Sequence, residues 1–327
     1  MRLRQFIAAL GCAVALWPLA TQARQSRSIP RVGVLWHAGN AEEEGANFTS
    51  LVKGFRDLGY TDGQNVKLEH RFPNEQPDRF KSMVAELAST TDILIAVGNN
   101  AAPYAKDAAD KIPVVAIHVS DPIGMGLVKS LARPGGNITG VSNQSTEMVG
   151  KRLQLLKEMA PGLSRIAVSV NPDARISPFH ITQTRDAAAN LGLDTQTFEW
   201  RSLVQLEQAF DAMVSASMQA LVTNPDGLAF TYRGEIAKLA IRHHLPLATW
   251  SRVTLTAGAL MSYGVDDDAI SRRAAVYVDK ILKGAHPADL PVEQPTKFVY
   301  LINLVTAKAL GIEIPEILLT RADELIE

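Results

Sequence analysis

Cysteine is nearly absent from these 327 residues, and the single one is Cys12. It sits inside an N-terminal apolar run, so disulfides, thiolate catalysis and Cys-ligated zinc are excluded from the chain that follows. Positive charge is not in excess: 33 Lys and Arg against 34 Asp and Glu give a formal charge of −1. That balance leaves no electrostatic footprint for nucleic acid. Beyond the N-terminus no apolar run reaches the roughly 20 residues of a membrane-spanning helix. Several enzyme signatures are also missing. There is no HExxH, no phosphate-binding Walker loop and no GxSxG, and Gly124-Met125-Gly126 lacks the third glycine and the preceding context of a dinucleotide loop. His243 and His244, adjacent on an expected helix, point in different directions and cannot pair on a metal. No metal, cofactor or catalytic residue is therefore expected.

What is present begins with an export signal. Arg2 and Arg4 precede an apolar run from Phe6 to Leu19, and Ala20-Thr21-Gln22-Ala23 supplies small residues for cleavage, so residues 1–23 read as a signal peptide. A lipid anchor at Cys12 would leave too short a hydrophobic core before it. The expected location is the periplasm, without a lipid tether.

The remaining residues, about 300, exceed the usual size of one domain and point to two. Short apolar runs alternate with longer amphipathic ones, the pattern of βαβ units on a parallel sheet. Strands are expected at 32–35, 66–70, 93–97, 114–117 and 138–141. The series then repeats at 166–170, 195–198, 220–222, 247–249 and 260–262. Helices fill the gaps, among them 48–58, ended by Gly59 as a C-terminal cap, and one after Asp78, which is expected to cap it. Leu58-Gly59-Tyr60 rhymes with Leu191-Gly192-Leu193, and Lys111-Ile112-Pro113-Val114 with His244-Leu245-Pro246-Leu247. Two Rossmann-like α/β lobes follow: residues 24–145 and 146–290, joined through a helix at 147–159. A strand at 298–303 and a short helix at 306–310 form a tail, 291–327, expected to return to the first lobe or the hinge.

In open parallel sheets ligands bind outside the carboxyl ends of the strands, where helix N-termini offer free N–H groups. The polar residues gather there. The first half supplies Trp36, His37, Asn99, Asn100, Ser120, Asp121, Ser142 and Asn143; the second supplies Asn171, Asn224, Asp226, Trp250, Ser251 and Tyr263. Asn, Asp and Ser before a helix also serve as ordinary caps, and the aromatic residues could equally pack in the hinge. The acidic runs Glu42–Glu44 and Asp266–Asp268 precede helices and read as solvated caps.

Particular stretches resemble a known family. Gly54-Phe55-Arg56-Asp57-Leu58-Gly59-Tyr60, Gly63-Gln64-Asn65-Val66 and Ser120-Asp121-Pro122-Ile123-Gly124-Met125-Gly126-Leu127-Val128 are similar to the ABC transporter substrate-binding proteins that include tryptophan- and tyrosine-binding lipoproteins. So are 131–140, 151–157, 272–282, 290–296 and 321–324. The resemblance implies a type I periplasmic-binding-protein fold, a small ligand enclosed between hinged lobes, and delivery to an inner-membrane permease and its ATPase. A monomer is the default for this class. Ala96-Val97-Gly98-Asn99-Asn100 and His118-Val119-Ser120 depart from the family's small-residue loops, which leaves the ligand open, an aromatic amino acid being the first candidate. On this reading Asn99, Asn100, Ser120 and Ser142 would hold a carboxylate, and Asp121 or Asp226 an amino group. Trp36, Trp250 and Tyr263 would cover the apolar part. A sensor module feeding a receptor, a sugar-nucleotide-type enzyme and a protein without ligand are the alternatives.

Overall fold

The computed structural model describes residues 29–327; Cys12 and residues 1–23, expected to be a signal peptide, lie outside them. The first lobe is built from β1 (Arg31–Leu35), α1 (Ala41–Glu44), α2 (Ala46–Asp57), β2 (Lys67–Arg71), α3 (Pro77–Thr90), β3 (Ile93–Val97), α4 (Gly98–Ala105), β4 (Val114–Val119) and β5 (Ile138–Ser142). The chain then crosses into α5 (Ser145–Met159), β6 (Arg165–Val170), α6 (Ser177–Asn190), β7 (Asp194–Glu199), α7 (Leu203–Ser215) and β8 (Ala220–Thr223). The second lobe continues through α8 (Gly227–Thr231), α9 (Arg233–Arg242), β9 (Leu247–Thr249), α10 (Arg252–Thr256) and β10 (Met261–Val265).

The repeat seen in the sequence is a repeat of topology. One sheet runs β2-β1-β3-β4-β5 and the other contains β7-β6-β8-β9-β10, the same order in the same parallel sense. Strands β3 and β4 are buried on both faces, as their unbroken apolar runs require. Helices cover the two faces and divide the interior into separate packed clusters. In the first lobe, Trp36, Phe55 and Ile95 lie on one side of the sheet, and Leu35, Phe80 and Leu94 on the other.

The path after β10 differs from expectation. The helix α11 (Asp267–Leu282) returns to the first lobe, packing on α2 with Ala274, Ala275, Tyr277 and Val278 in that lobe's core. Glu293 then bridges to Val141, and the N–H of Ser142 donates to its carbonyl at 2.9 Å. Only afterwards does the chain cross again, into β11 (Phe298–Asn303), α12 (Leu304–Leu310), α13 (Glu316–Arg321) and β12 (Glu324–Ile326). These belong to the second lobe, with β11 antiparallel to β10. So the return to the first lobe begins before 291–327, with α11, and the tail keeps to that lobe only through Val292 and Glu293; three crossings connect the lobes. The physical reason is close packing: a Cβ on Gly54 of α2 would stand 2.8 Å from the Cα of Arg272, so the missing side chain lets α11 lie directly on α2. Likewise α5 is no bridge; Leu153, Leu156 and Met159 are buried in the second lobe, and the crossing precedes it. Asp78 is in the first turn of α3, whose N-cap is Gln76.

Candidate functional site

Both sheets reverse strand order between their first and third strands, β1 and β3 in one lobe, β6 and β8 in the other, and the carboxyl ends of these strands face a common cleft. His37 follows β1, Asn99 and Asn100 open α4 after β3, Asn143 follows β5, and Asp226 caps α8 after β8. With Trp250 and Ser251 after β9, these residues line one cavity of about 50 Å³. A second cavity of about 320 Å³ adjoins it and shares Trp250, Ser251 and Asp267.

The lobes touch directly across the cleft. The Nδ2 of Asn99 donates to the carbonyl of Pro225 at 3.1 Å and to the Oγ of Ser120 at 2.9 Å, while its Oδ1 accepts from the N–H of Ser120 at 2.8 Å. Ser120 thus orients Asn99, and Asn99 reaches the other lobe. The His37 and Phe230 rings meet nearly at right angles, their centroids 5.1 Å apart. Arg233 donates to the carbonyl of Glu43 at 3.2 Å. Closest of all is Gly227, where a Cβ would overlap the Glu75 carboxylate. Truncating Asn99 to alanine removes one neutral hydrogen bond between lobes; ligand affinity measured by calorimetry should fall about fivefold, as for a net loss near 1 kcal/mol.

Charge in the cleft is concentrated on four side chains. His37 is buried, and its Nδ1 lies 3.0 Å from Glu75 and its Nε2 3.5 Å from Glu44. Glu44 is fully buried and its Oε1 accepts the N–H groups of His37 and Ala38 at 3.1 and 2.9 Å. Burial would lower the His37 pKa, but Glu44, Glu75 and Asp226 outweigh it and raise it to about 9. Asp226 is pushed up to about 7, first by burial and then by Glu75 opposite, against the N–H groups of Ala229 and Leu228 and the charge of His37. Glu75, which also accepts from the Nδ2 of Asn100 at 2.5 Å, holds a positive φ of 56°, as does His118. A non-glycine residue is uncommon there and such positions gather at functional sites.

Not every expected residue reaches the cleft. Trp36 is fully buried in the first lobe's core, its Nε1 donating to the Nδ1 of His70 at 3.0 Å. Neighbours along an extended segment face opposite sides, so His37 in the cleft places Trp36 in the core. Tyr263 stacks on Phe298 and pairs in register with Tyr300 on the face of the sheet. Asp121 and Asn171 lie further along the cleft: Asp121 accepts the N–H of Gly124 at 2.8 Å in an exposed turn and lines a recess with Arg175 and Phe179, while Asn171 accepts that of Asp173 at 3.0 Å and lines a cavity of about 100 Å³ with Glu75, Asn99 and Asn100. The Oγ of Ser142, buried, takes the N–H of Gln144 at 3.1 Å. Asn224 turns inward between Arg152 and Thr184. The sequence reading missed Glu44, Asn47, Glu75, His118, Phe230 and Asp267. Glu44 and Asp267 belong to acidic runs expected to be solvated. Glu44 is instead buried, and Asp267 lies 3.4 Å from the Nδ1 of His118.

Two α/β lobes of matching topology, three crossings and a polar cleft at the facing strand ends define a two-lobed solute-binding architecture. A family model described as "ABC transporter substrate binding protein" matches residues 43–326, and the chain belongs to that family. A tyrosine-binding protein of Clostridioides difficile is 28% identical over 266 residues, 80% of this chain and 76% of that protein. Among solved structures, an ABC domain from Streptococcus pneumoniae in complex with L-Trp superposes with a TM-score of 0.85 at 25% identity, covering 91% of this chain and all of that one. A conserved domain protein from Vibrio cholerae gives a TM-score of 0.85 at 26% identity, covering 91% of this chain and 99% of its own. The lobes therefore carry the periplasmic-binding-protein fold that the sequence patterns imply. Among the described residues no helix is long and apolar enough to cross a membrane.

Proposed function

We propose that this chain is the exported, periplasmic capture component of an ABC importer, closing its lobes on a small ligand of amino-acid size and presenting the loaded form to a permease and its ATPase. The direct contacts between lobes support this reading most. Asn99, Glu75 and His37 on one side, and Pro225, Gly227 and Phe230 on the other, meet where a solute would be enclosed. The space of about 50 Å³ between these contacts adjoins the cavity of about 320 Å³ through Trp250, Ser251 and Asp267. On this reading the lobes part to admit a solute and close around it to hold it. Binding energy is thereby converted into a shape that a permease can distinguish from the empty one. Trp250 and Phe230 supply flat apolar surface to cover a ring, and the relatives that bind tyrosine and L-Trp make aromatic amino acids and their derivatives the first class to try. No step of this cycle needs a covalent intermediate.

The test is thermal unfolding of the purified chain against amino acids, amines, short peptides, nucleosides and organic acids. A ligand at about 100 times its Kd should add roughly 2.7 kcal/mol, several degrees in the midpoint. No shift with any compound would remove the reading as a binder of these ligand classes and leave a structural role.

A further inference from the structure

Two buried acceptors on residues that line the cleft cavity have no donor. Asn47 on α2 is buried, 7% exposed, and its Oδ1 meets no donor although it lines the cavity. On the second lobe's side the Oδ2 of Asp226 is shut off from solvent and likewise unpartnered; the other carboxylate oxygen takes the N–H of Ala229 at 3.0 Å. Asp267 adds a third acceptor group to the same wall. Neither lysine nor arginine is among the residues lining it. The cation that is there, His37, already places both ring nitrogens against Glu75 and Glu44. His118 stands between Ser271, at 2.9 Å, and Asp267. In the adjoining cavity carboxylates again outnumber cations, with Asp266, Asp268, Asp323 and Glu324 beside Arg252, Arg272 and Lys297. A zwitterionic amino acid would thus carry a carboxylate into a cavity whose lining cation, His37, is already paired with Glu44 and Glu75. An ammonium would satisfy acceptors that are otherwise orphaned.

We propose that the cleft selects a ligand of net positive charge, a primary amine whose ammonium donates to Asp226 and Asn47 and whose body lies against Trp250 and Phe230. The inference rests on the solute-binding reading above and narrows it to amines over their parent amino acids. Asp226 must be ionised to receive the ammonium. Burial and Glu75 keep it protonated up to about pH 7, whereas His37 keeps its charge to about pH 9. Affinity for an amine should therefore rise between about pH 5 and about pH 7 and level off above.

The experiment is calorimetric titration with matched pairs: tryptamine and L-tryptophan, tyramine and L-tyrosine, cadaverine and L-lysine, with indole-3-propionate as the anionic control. In whichever pair binds, the amine should be at least tenfold tighter than the amino acid, the scale of one charge-assisted hydrogen bond, and the propionate should not bind. Asp226→Asn should abolish that preference while the ligand-free unfolding midpoint stays within the range of the parent protein. Asn47→Leu, which removes the other orphan acceptor, should weaken the amine while the ligand-free unfolding midpoint does not fall. An amino acid that binds as tightly as its amine, or a propionate that binds at all, overturns the proposal and leaves the solute-binding reading standing. Failure of every pair and of the wider panel overturns both.

Discussion

Gly227→Ala should lower ligand affinity roughly 100-fold and leave the unfolding midpoint of the ligand-free protein unchanged. The added methyl would occupy the place of the Glu75 carboxylate, which His37 and Asn100 hold from the other side. Relieving the overlap means either breaking those bonds or holding the lobes apart, and overpacking of this kind costs about 1 to 3 kcal/mol. Three kcal/mol corresponds to about two decades in Kd. The clash exists only where the lobes meet, so the separate folding of each lobe is untouched. Adding Glu75→Ala removes the obstructing carboxylate, and the double variant should recover part of the lost affinity in a mutant cycle. A Gly227→Ala protein that binds normally would show that the lobes do not need to approach this closely.

Stability should peak near neutrality and fall on both sides, and His37 should account for the alkaline loss. Its folded pKa is raised to about 9 from 6.5, so the stabilisation is complete below about pH 6.5 and disappears as the pH rises through about 9. At 1.36 kcal/mol per unit, the loss over that window is about 3 kcal/mol, an order-of-magnitude figure. On the acid side His70 and His180 are lowered to about 4 and about 3, chiefly by burial, with Arg152 adding to the effect at His180. Their contributions are present above about pH 6.5 and vanish as the pH falls through those values. Asp226 works against them, because its raised pKa favours the folded state more as it protonates, and it makes the acid limb shallower. Urea unfolding at a series of pH values reads the whole curve. His37→Gln should flatten the alkaline limb and leave the acid limb in place; an alkaline limb of unchanged slope would refute the assignment.

Much of the fold was legible because parallel strands buried on both faces are short unbroken apolar runs. Ile93–Val97, Leu247–Thr249 and Phe298–Asn303 stand where the runs place them. The helix α4 was not legible, since Pro103 lies within it and Gly98 begins it. Lobe membership of the last third was also hidden. An apolar run says that a strand is buried and not in which sheet, and the contact that fixes α11, Gly54 against Arg272, joins residues far apart in sequence. The site was half visible. His37, Asn99, Asn100, Asn143, Asp226, Trp250 and Ser251 were found because strand ends of a parallel sheet converge. Trp36 shares those strand ends but points into the core, and Tyr263 lies in the middle of β10 rather than at its end. Asn47, Glu75 and Phe230 came from other elements and reach the cavity only through the folding of each lobe and the meeting of the two.

The most direct test of the account is the distance between the lips of the cleft. Ile123 and Phe179 are exposed, and their neighbours Gly124, Met125 and Ile176 line one recess at the cleft mouth. Residues 29–327 contain no cysteine, so Ile123→Cys and Phe179→Cys take spin labels without competition. With the ligand selected by the thermal panel, the distance distribution should collapse from broad and long to narrow and short. A distribution that ligand does not change, at concentrations where calorimetry shows saturation, would contradict capture by closure of the two lobes.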